Sequence, residues 1–243
     1  MAGHSKWNNI KRRKEAVDAQ RGKIFTKLGR EIAIAVKHGG PDPDSNSSLK
    51  DAIARAKASN MPNDSIQRSI SKAAGGDGGD DFAEIVYEGY GPGGIAVMVR
   101  TLTDNRNRTA GDVRHIFDKF GGNLGTNGCV AYQFERKGSL VLDRELYPDE
   151  DQVLFDALEA GAEDVEISDE MFEIITEPND YHFVLEALTD KNYEFLDLSL
   201  APRPSSWVEL SDEEQSKQME KLIEVMEDHD DVQDVFHNWN QTD

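Results

Sequence analysis

The first quarter of the chain places apolar and polar residues with the spacing of amphipathic helices. Over residues 22–38, apolar side chains fall on one arc of a helix and basic side chains on the opposite arc. Gly39, Gly40 and Pro41 then indicate the helix end. The apolar arc consists of Ile24, Phe25, Leu28, Ile32, Ala35 and Val36.

Two shorter helices are predicted next. One begins at Asn46 or Ser47, either of which can cap it, and ends near Ser59. The other begins at its N-cap Asn63 and ends near Ala74. Short loops between these helices imply a small antiparallel bundle.

Two segments beside this predicted bundle have little to bury. Residues 6–20 are compatible with a helix, but their sizeable apolar side chains are only Trp7, Ile10 and Val17, so we expect them to become ordered on a partner. Residues 75–81 (GGDGGDD) are predicted to be a flexible acidic linker that ends the first domain.

From residue 82 onward the pattern changes to the period of two that is typical of strands. Strands are predicted at residues 83–90, 95–103 and 129–134. A helix is predicted over residues 110–120, with a polar loop at residues 104–109 before it. This block has the order ββαβ.

Residues 138–200 are predicted to follow the order βαββαβ, which is that of a ferredoxin-like unit. Its strands are predicted at residues 139–142, 164–167, 172–175 and 193–199, and its helices at 149–160 and 179–189. A stretch with two prolines, residues 200–206 (LAPRPSS), is predicted to be a linker.

The C-terminal residues supply one more helix (211–227) and one more strand (232–237). A single helix and strand cannot form a domain, whereas the ββαβ block lacks one of each. We therefore predict an α+β protein in which an N-terminal helical bundle precedes two α+β domains, the third inserted into the second. The predicted domains are residues 1–76, residues 82–135 together with 207–243, and residues 138–200.

Charge divides the chain into two parts. The 243 residues carry a formal net charge of −20, yet residues 1–40 hold ten Lys or Arg and three acids. The residues after 75 hold twelve bases and forty acids. We call the basic residues 1–40 the head and the acidic residues after 75 the body. A basic segment joined to an acidic remainder indicates an anionic partner, usually nucleic acid. Because screening acts over about 8 Å at physiological salt, we expect the head to present its positive charge to a polyanion.

Composition excludes several classes of protein. The single cysteine, Cys129, cannot form an internal disulfide or a multi-cysteine metal site, which favours a reducing compartment. No run approaches the roughly 18 apolar residues that a membrane span needs. The basic N-terminus lacks the apolar region of a secretory signal. We expect a soluble, cytoplasmic protein that has no membrane partner.

No catalytic or cofactor motif is evident. The glycine-rich residues 121–128 (GGNLGTNG) lack the Lys-Ser/Thr ending of a phosphate-binding loop, so a structural loop is favoured. The six histidines lack metal-ligand spacing. The acidic run at residues 227–231 (EDHDD) could attract a cation, but a solvated helix end is the preferred interpretation. We predict no enzyme, metal, cofactor or small-molecule substrate.

Eight motifs occur in order along essentially the whole chain. They are MAGHSKWNNIKRRK, RGKIFTKLGREI, NMPNDSIQRSI, YEGYGPGG, DNRNRT, GGNLGTNG, VAYQFERKG and DDVQDVFHN. Through them the chain closely resembles the YebC family of probable transcriptional regulators, which includes a mitochondrial translational activator of a cytochrome oxidase subunit. The resemblance implies a three-domain protein of the bacterial cytoplasm that binds nucleic acid without catalysis.

The leading hypothesis is a non-enzymatic regulator of gene expression, a YebC-type DNA-binding transcriptional regulator that acts through its basic N-terminal domain. The alternative is a translation factor that associates with the ribosome or its rRNA. A third hypothesis, an enzyme acting at the loop of Arg106 and Arg108, has no supporting motif. No base-reading set of side chains is evident, so we expect weak sequence specificity. The sequence does not define an oligomeric state.

The predicted nucleic-acid contacts combine phosphate-binding bases with two rings. In the loop, Arg106 and Arg108 either pair with nearby carboxylates or contact phosphate. In the head, His4 and Trp7 could stack on bases. The full set is His4, Lys6, Trp7, Lys11, Arg12, Arg13, Lys14, Arg21, Lys23, Lys27, Arg30, Arg106 and Arg108.

Overall fold

The computed structural model describes residues 18–75 and 82–241. The helices are α1 (Asp18–Gly39), α2 (Ser47–Ala58), α3 (Asn63–Ala74), α4 (Arg106–Lys119), α5 (Glu150–Glu159), α6 (Tyr181–Asp190) and α7 (Glu213–Asp228). The strands are β1 (Ala83–Tyr90), β2 (Ala96–Thr103), β3 (Asn123–Leu124), β4 (Phe134–Asp143), β5 (Asp164–Ile167), β6 (Met171–Thr176), β7 (Phe195–Pro204), β8 (Val208–Glu209), β9 (Val232–His237) and β10 (Trp239–Asn240). The predicted segment 6–20, up to residue 17, and linker residues 76–81 lie outside the described ranges.

Helices α1, α2 and α3 bury their apolar faces against one another. Ile32 of α1, Leu49 of α2 and Ile66 of α3 lie in one buried cluster, as the helical spacing predicts. Asn46 caps α2, because its side-chain oxygen accepts a hydrogen bond from the N–H of Leu49 at 3.1 Å. The predicted cap at Asn63 is wrong, since α3 begins at Asn63 itself and Pro62 occupies the cap position.

A four-stranded antiparallel sheet of order β3-β1-β2-β9 follows the bundle in sequence. Helices α4 and α7 contribute to the hydrophobic core against this sheet, through Phe117 and Met226 for example. The C-terminal strand β9 pairs with β2, so the end of the chain completes the sheet. Gly122 is required at the turn before β3, because a Cβ there would lie 2.7 Å from the carbonyl oxygen of Tyr90.

The second large sheet has the antiparallel order β5-β6-β4-β7, which is the order of a ferredoxin-like unit. Helices α5 and α6 pack against it and bury Val153, Val184 and Leu188 with the strands. The predicted α+β fold, with a βαββαβ unit inserted between two parts of another sheet, is confirmed.

The strand predicted at residues 129–134 is wrong. Residues 131–133 form a short 3-10 helix, and β4 begins only at Phe134. The buried carboxylate of Glu88 accepts hydrogen bonds from the N–H groups of Gly128, Val130 and Ala131, at 2.7–3.0 Å. Those donors are therefore unavailable to a strand ladder.

Helix α4 and strand β7 also depart from their predicted ranges. Helix α4 begins at Arg106 and not at residue 110, because Asn105 accepts a hydrogen bond from the N–H of Arg108 and starts the helix there. Strand β7 continues through most of the predicted linker to Pro204. Proline is tolerated because β7 lies at the sheet edge and pairs only with β4.

A short parallel pair, β8 with β10, was not predicted. It places Val208 beside Trp239 at the core of the first sheet. The described apolar residues form three main clusters, one for each set of elements above. The domain bounds 1–76, 82–135 with 207–243, and 138–200 stay a prediction.

Candidate nucleic-acid interface

The basic arc of α1 lies against the acidic C-terminal end of α7. Lys23 Nζ donates to the carboxylate of Asp228 at 2.7 Å. Lys27 Nζ donates to the main-chain carbonyl of Glu227 at 2.6 Å. One turn further on, the guanidinium of Arg30 donates to the carbonyl of Asp230 at 2.6 Å. Three cations at consecutive turns of α1 thus meet the segment 227–231.

Asp231 is the inner anchor of this contact. Its side chain is only 5% exposed. One carboxylate oxygen lies 3.4 Å from the guanidinium of Arg30, and the other accepts from Arg108 at 3.0 Å and from Thr109 at 2.8 Å. Arg30 of the bundle and Arg108 of α4 are therefore brought to one carboxylate, although 78 positions separate them in the sequence.

The electrostatics agree with these contacts. Burial opposes ionisation of Asp231, but the hydrogen bonds from Arg108 and Thr109 outweigh it, so the pKa of this carboxyl lies below its usual value. The hydrogen bond to Asp228 raises the pKa of Lys23. Hydrogen bonds to Asp231 and Asp104 raise the pKa of Arg108. Each group is held in its charged form.

Arg106 and Arg108 lie in the first turn of α4 and are exposed. The first-turn N–H groups and the helix dipole give this end of α4 a partial positive charge. Arg108 nevertheless pairs with Asp104 at 2.8 Å and with Asp231, as the carboxylate alternative predicts. The Arg106 carbonyl accepts a long, 3.5 Å hydrogen bond from the hydroxyl of Tyr87.

A second ionic cluster joins the bundle to the sheet of β1, β2 and β9. Arg55 of α2 contacts Glu31 of α1 at 3.1 Å and Asp234 of β9 at 3.0 Å. Arg100 of β2 binds the same two carboxylates. Attraction by Glu31 raises the pKa of Arg55, and the carboxylates Asp234 and Glu31 outweigh burial to raise that of Arg100. Two guanidiniums and two carboxylates thus hold the bundle in place.

A cleft of about 850 Å³ lies where the bundle faces the two sheets. Its walls carry bases such as Arg136 and Arg203, but also acids such as Asp51 and Asp197. The basic arc of α1 also lines this cleft, through Lys23 for example, so the arc is one wall of a cleft of mixed sign.

The structure covers only part of the predicted contact set. Lys23, Lys27, Arg30 and Arg108 come together around residues 227–231, with Arg106 beside Arg108 in the first turn of α4. Arg21 lies near the start of α1. The remaining predicted contacts, His4, Lys6, Trp7, Lys11, Arg12, Arg13 and Lys14, lie outside the described residues.

The sequence analysis did not find the acidic partners of α1. It identified the run 227–231 but favoured a solvated helix end, whereas four of its residues accept hydrogen bonds from α1. The signal was the match between two charge runs of opposite sign, at α1 and at the end of α7. Glu31, Arg55, Arg100 and Asp234 gave no such signal, because each is a single charge in an ordinary amphipathic element.

Membrane-spanning helices and metal-binding clusters are both absent from the described residues. In residues 18–75 and 82–241, no helix has both the length and the apolar character to cross a bilayer. Over the same residues, no group of three or more His, Cys, Asp or Glu side chains is arranged to hold a metal ion.

Comparison with known proteins covers almost the whole chain. Residues 5–76 match the TACO1/YebC protein N-terminal domain, and residues 82–239 match the TACO1/YebC second and third domain. Proteins called "probable transcriptional regulatory protein" from Acetivibrio thermocellus and Ruminiclostridium cellulolyticum are 57% and 58% identical, over 98% and 99% of this chain and 99% and 97% of their own lengths.

A solved structure shows the same fold. The crystal structure of a conserved hypothetical protein from Aquifex aeolicus has a TM-score of 0.85 and 46% sequence identity, covering 93% of this chain and 92% of that one. The family models match the residues of the bundle and of both sheets, and each of the two relatives matches nearly the whole chain. The chain therefore belongs to the TACO1/YebC family.

Proposed function

We propose that this protein is a non-enzymatic regulator of gene expression that binds DNA through the basic surface of its N-terminal bundle. The observation that carries the proposal is the convergence of bases from two parts of the chain. Lys23, Lys27 and Arg30 of α1 and Arg108 of α4 line one surface around the end of α7. The relatives named as probable transcriptional regulatory proteins support the same function.

The chemistry of this surface suits the phosphate backbone more than base edges. Lysine and arginine side chains on one helix face neutralise phosphates and position a protein on a duplex without reading its sequence. The head residues His4, Lys6, Trp7, Lys11, Arg12, Arg13 and Lys14 extend the proposed contacts. Weak sequence specificity follows unless a partner supplies it. A regulator that binds a bacterial chromosome acts in the cytoplasm, which is the location we propose.

The salt dependence of binding tests this proposal. About five phosphate contacts give a slope of roughly −4 to −5 in a plot of log affinity against log salt for a DNA duplex. Replacing Lys11, Arg12, Arg13 and Lys14 with Ala should flatten the slope. A duplex affinity that does not depend on salt, or no binding at low salt, would rule out DNA as the ligand.

The acidity of the remaining chain favours a second candidate, a translation factor bound to the ribosome. Forty acids against twelve bases after residue 75 repel a bare duplex, whereas a ribosome offers basic proteins beside its rRNA. In this case the protein co-sediments with ribosomes from lysate, and deletion of residues 1–20 abolishes the association. Co-sedimentation that survives the deletion would show that the head is not the anchor.

A further inference from the structure

Residues 227–231 are bound to the same basic side chains of α1 that contact phosphate in the proposed function. Lys23, Lys27 and Arg30 follow one another at steps of four and three residues, so they form a row about 10 Å long on α1. Each of the three donates to a different residue of this segment, at 2.6–2.7 Å. No other segment of the described chain is shown binding all three.

The acceptors in this segment resemble a nucleic-acid backbone in their chemistry. Asp228 offers a carboxylate, Glu227 offers a carbonyl oxygen in the last turn of α7, and Asp230 offers a carbonyl oxygen two residues past the end of that helix. Carbonyls at that end of a helix lack partners within the helix and carry partial negative charge. One carboxylate and two carbonyl oxygens together imitate a short row of phosphates.

We infer that residues 227–231 are an intramolecular competitor of nucleic acid, which occupies the basic row of α1 in the free protein and is displaced when phosphate binds. This inference rests on the proposed function and adds the regulation of the same surface. The competitor lowers the affinity for any polyanion, so only a ligand that offers several phosphates together opens the surface.

Residues 227–231 have an exposed end that nucleic acid can displace from α1 and a buried end that remains bound. Asp228 and Lys23 have side chains that are 70% and 48% exposed, and ion pairs of this exposure are weak. Asp231 is buried and is also held by Arg108 and Thr109, both on the same side of the contact as α7. Displacement therefore frees Lys23 first and leaves Asp231 on its own domain.

The test compares two double variants with the same change in net charge. Asp228→Asn with Asp230→Asn removes two carboxylates at the basic row. Glu214→Gln with Glu220→Gln removes two exposed carboxylates elsewhere on α7. A fluorescein-labelled DNA duplex of about 30 base pairs is titrated with each full-length protein over a series of salt concentrations. Thermal unfolding of each variant checks the fold.

The first variant is expected to bind about three- to tenfold more tightly than the wild-type protein, and the second to stay within about twofold. The salt slope of the first should steepen by about 0.9, the contribution of one further phosphate contact. Adding Lys23→Ala to the first variant should abolish both gains. If the double variant unfolds, Asp228→Asn alone, at an exposed side chain, should give a smaller gain in the same direction.

Three results would overturn the inference. Equal gains in both double variants would mean that only net charge matters. No gain, with clear binding by the wild-type protein, would reject the competitor and leave the proposed function standing. No binding of duplex DNA by any of the proteins at low salt would reject both.

Discussion

Two buried carboxylates organise loops that would otherwise be irregular. Asp231 joins Arg30, Arg108 and Thr109 at the meeting point of the bundle and α4. Glu88 satisfies three main-chain N–H groups of the turn before β4. Glu88 thus replaces the hydrogen bonds that regular secondary structure would supply, whereas Asp231 binds side chains from two parts of the fold.

Glu88→Gln should destabilise the protein by about 1–3 kcal/mol, because the amide NH₂ would face N–H donors that the carboxylate accepts. Burial alone would raise the pKa of Glu88, but the three N–H groups outweigh it and lower the pKa. A lowered pKa stabilises the fold at neutral pH, and this contribution disappears as the pH falls below the ordinary glutamate value of about 4.3. Urea unfolding of both proteins at pH 7 and pH 3.5 checks this, and an equal difference at both values would contradict it.

His237 gives the protein a second pH dependence. Burial lowers the pKa of this imidazole to about 4. The unfolded chain therefore binds the proton first as the pH falls through about 6.5, and stability is lost between that value and 4. We expect the wild-type protein to lose about 2 kcal/mol more than His237→Asn between pH 7.5 and pH 5. Parallel stability curves of the two proteins over this range would show that His237 is not responsible.

At the scale of elements, helix ends follow their caps. Asn46 and Asn105 cap α2 and α4, whereas Asn63 lies inside α3 and forms no cap. Asn105→Ala should cost about 1 kcal/mol in the free energy of unfolding, because the N–H of Arg108 loses its acceptor. Asn63→Ala is the matched control and should cost less than about 0.5 kcal/mol. Chemical denaturation measures both, and equal costs would show that the cap is not the cause.

Most elements could be predicted because their apolar period is carried by local sequence. The bounds of β1, β5 and β9 agree with the predicted ranges, and those of α7 differ by one or two residues. The errors occur where a distant group decides the structure. Glu88, forty residues away, turned the predicted strand at 129–134 into a 3-10 turn. The pairing with β4 extends β7 to Pro204, through prolines that had indicated a linker in the sequence.

At the scale of the whole molecule, the charge asymmetry was visible in the sequence. The contact between the basic residues of α1 and the acidic residues 227–231 was not. The bases of α1 meet residues about 200 positions away, a separation at which no local pattern applies. The sequence analysis expected the head to present its charge freely. The structure places part of that charge against the acidic body, so the candidate surface could be predicted only in its basic half.

The ionic cluster of Glu31, Arg55, Arg100 and Asp234 joins the bundle to the first sheet, and we expect it to contribute to the free energy of unfolding. Arg55→Met leaves two largely buried carboxylates with one guanidinium and should cost about 2 kcal/mol of stability. Arg68→Met, at an exposed position on α3, is the control and should change stability by less than about 0.5 kcal/mol. Urea unfolding distinguishes the two, and equal costs would mean that the cluster contributes nothing specific.

The return of the chain to complete the first sheet has a consequence for synthesis on the ribosome. One edge of β2 pairs with β1, but the other pairs with β9, more than 130 residues downstream, so β2 leaves the exit tunnel long before this second neighbour exists. The βαββαβ unit is contiguous and can fold while β2 still has an open edge. Sequence-distant pairing of this kind is slow, and an unpaired edge invites association with other chains. The nascent protein is therefore most exposed to aggregation in the interval before β9 emerges.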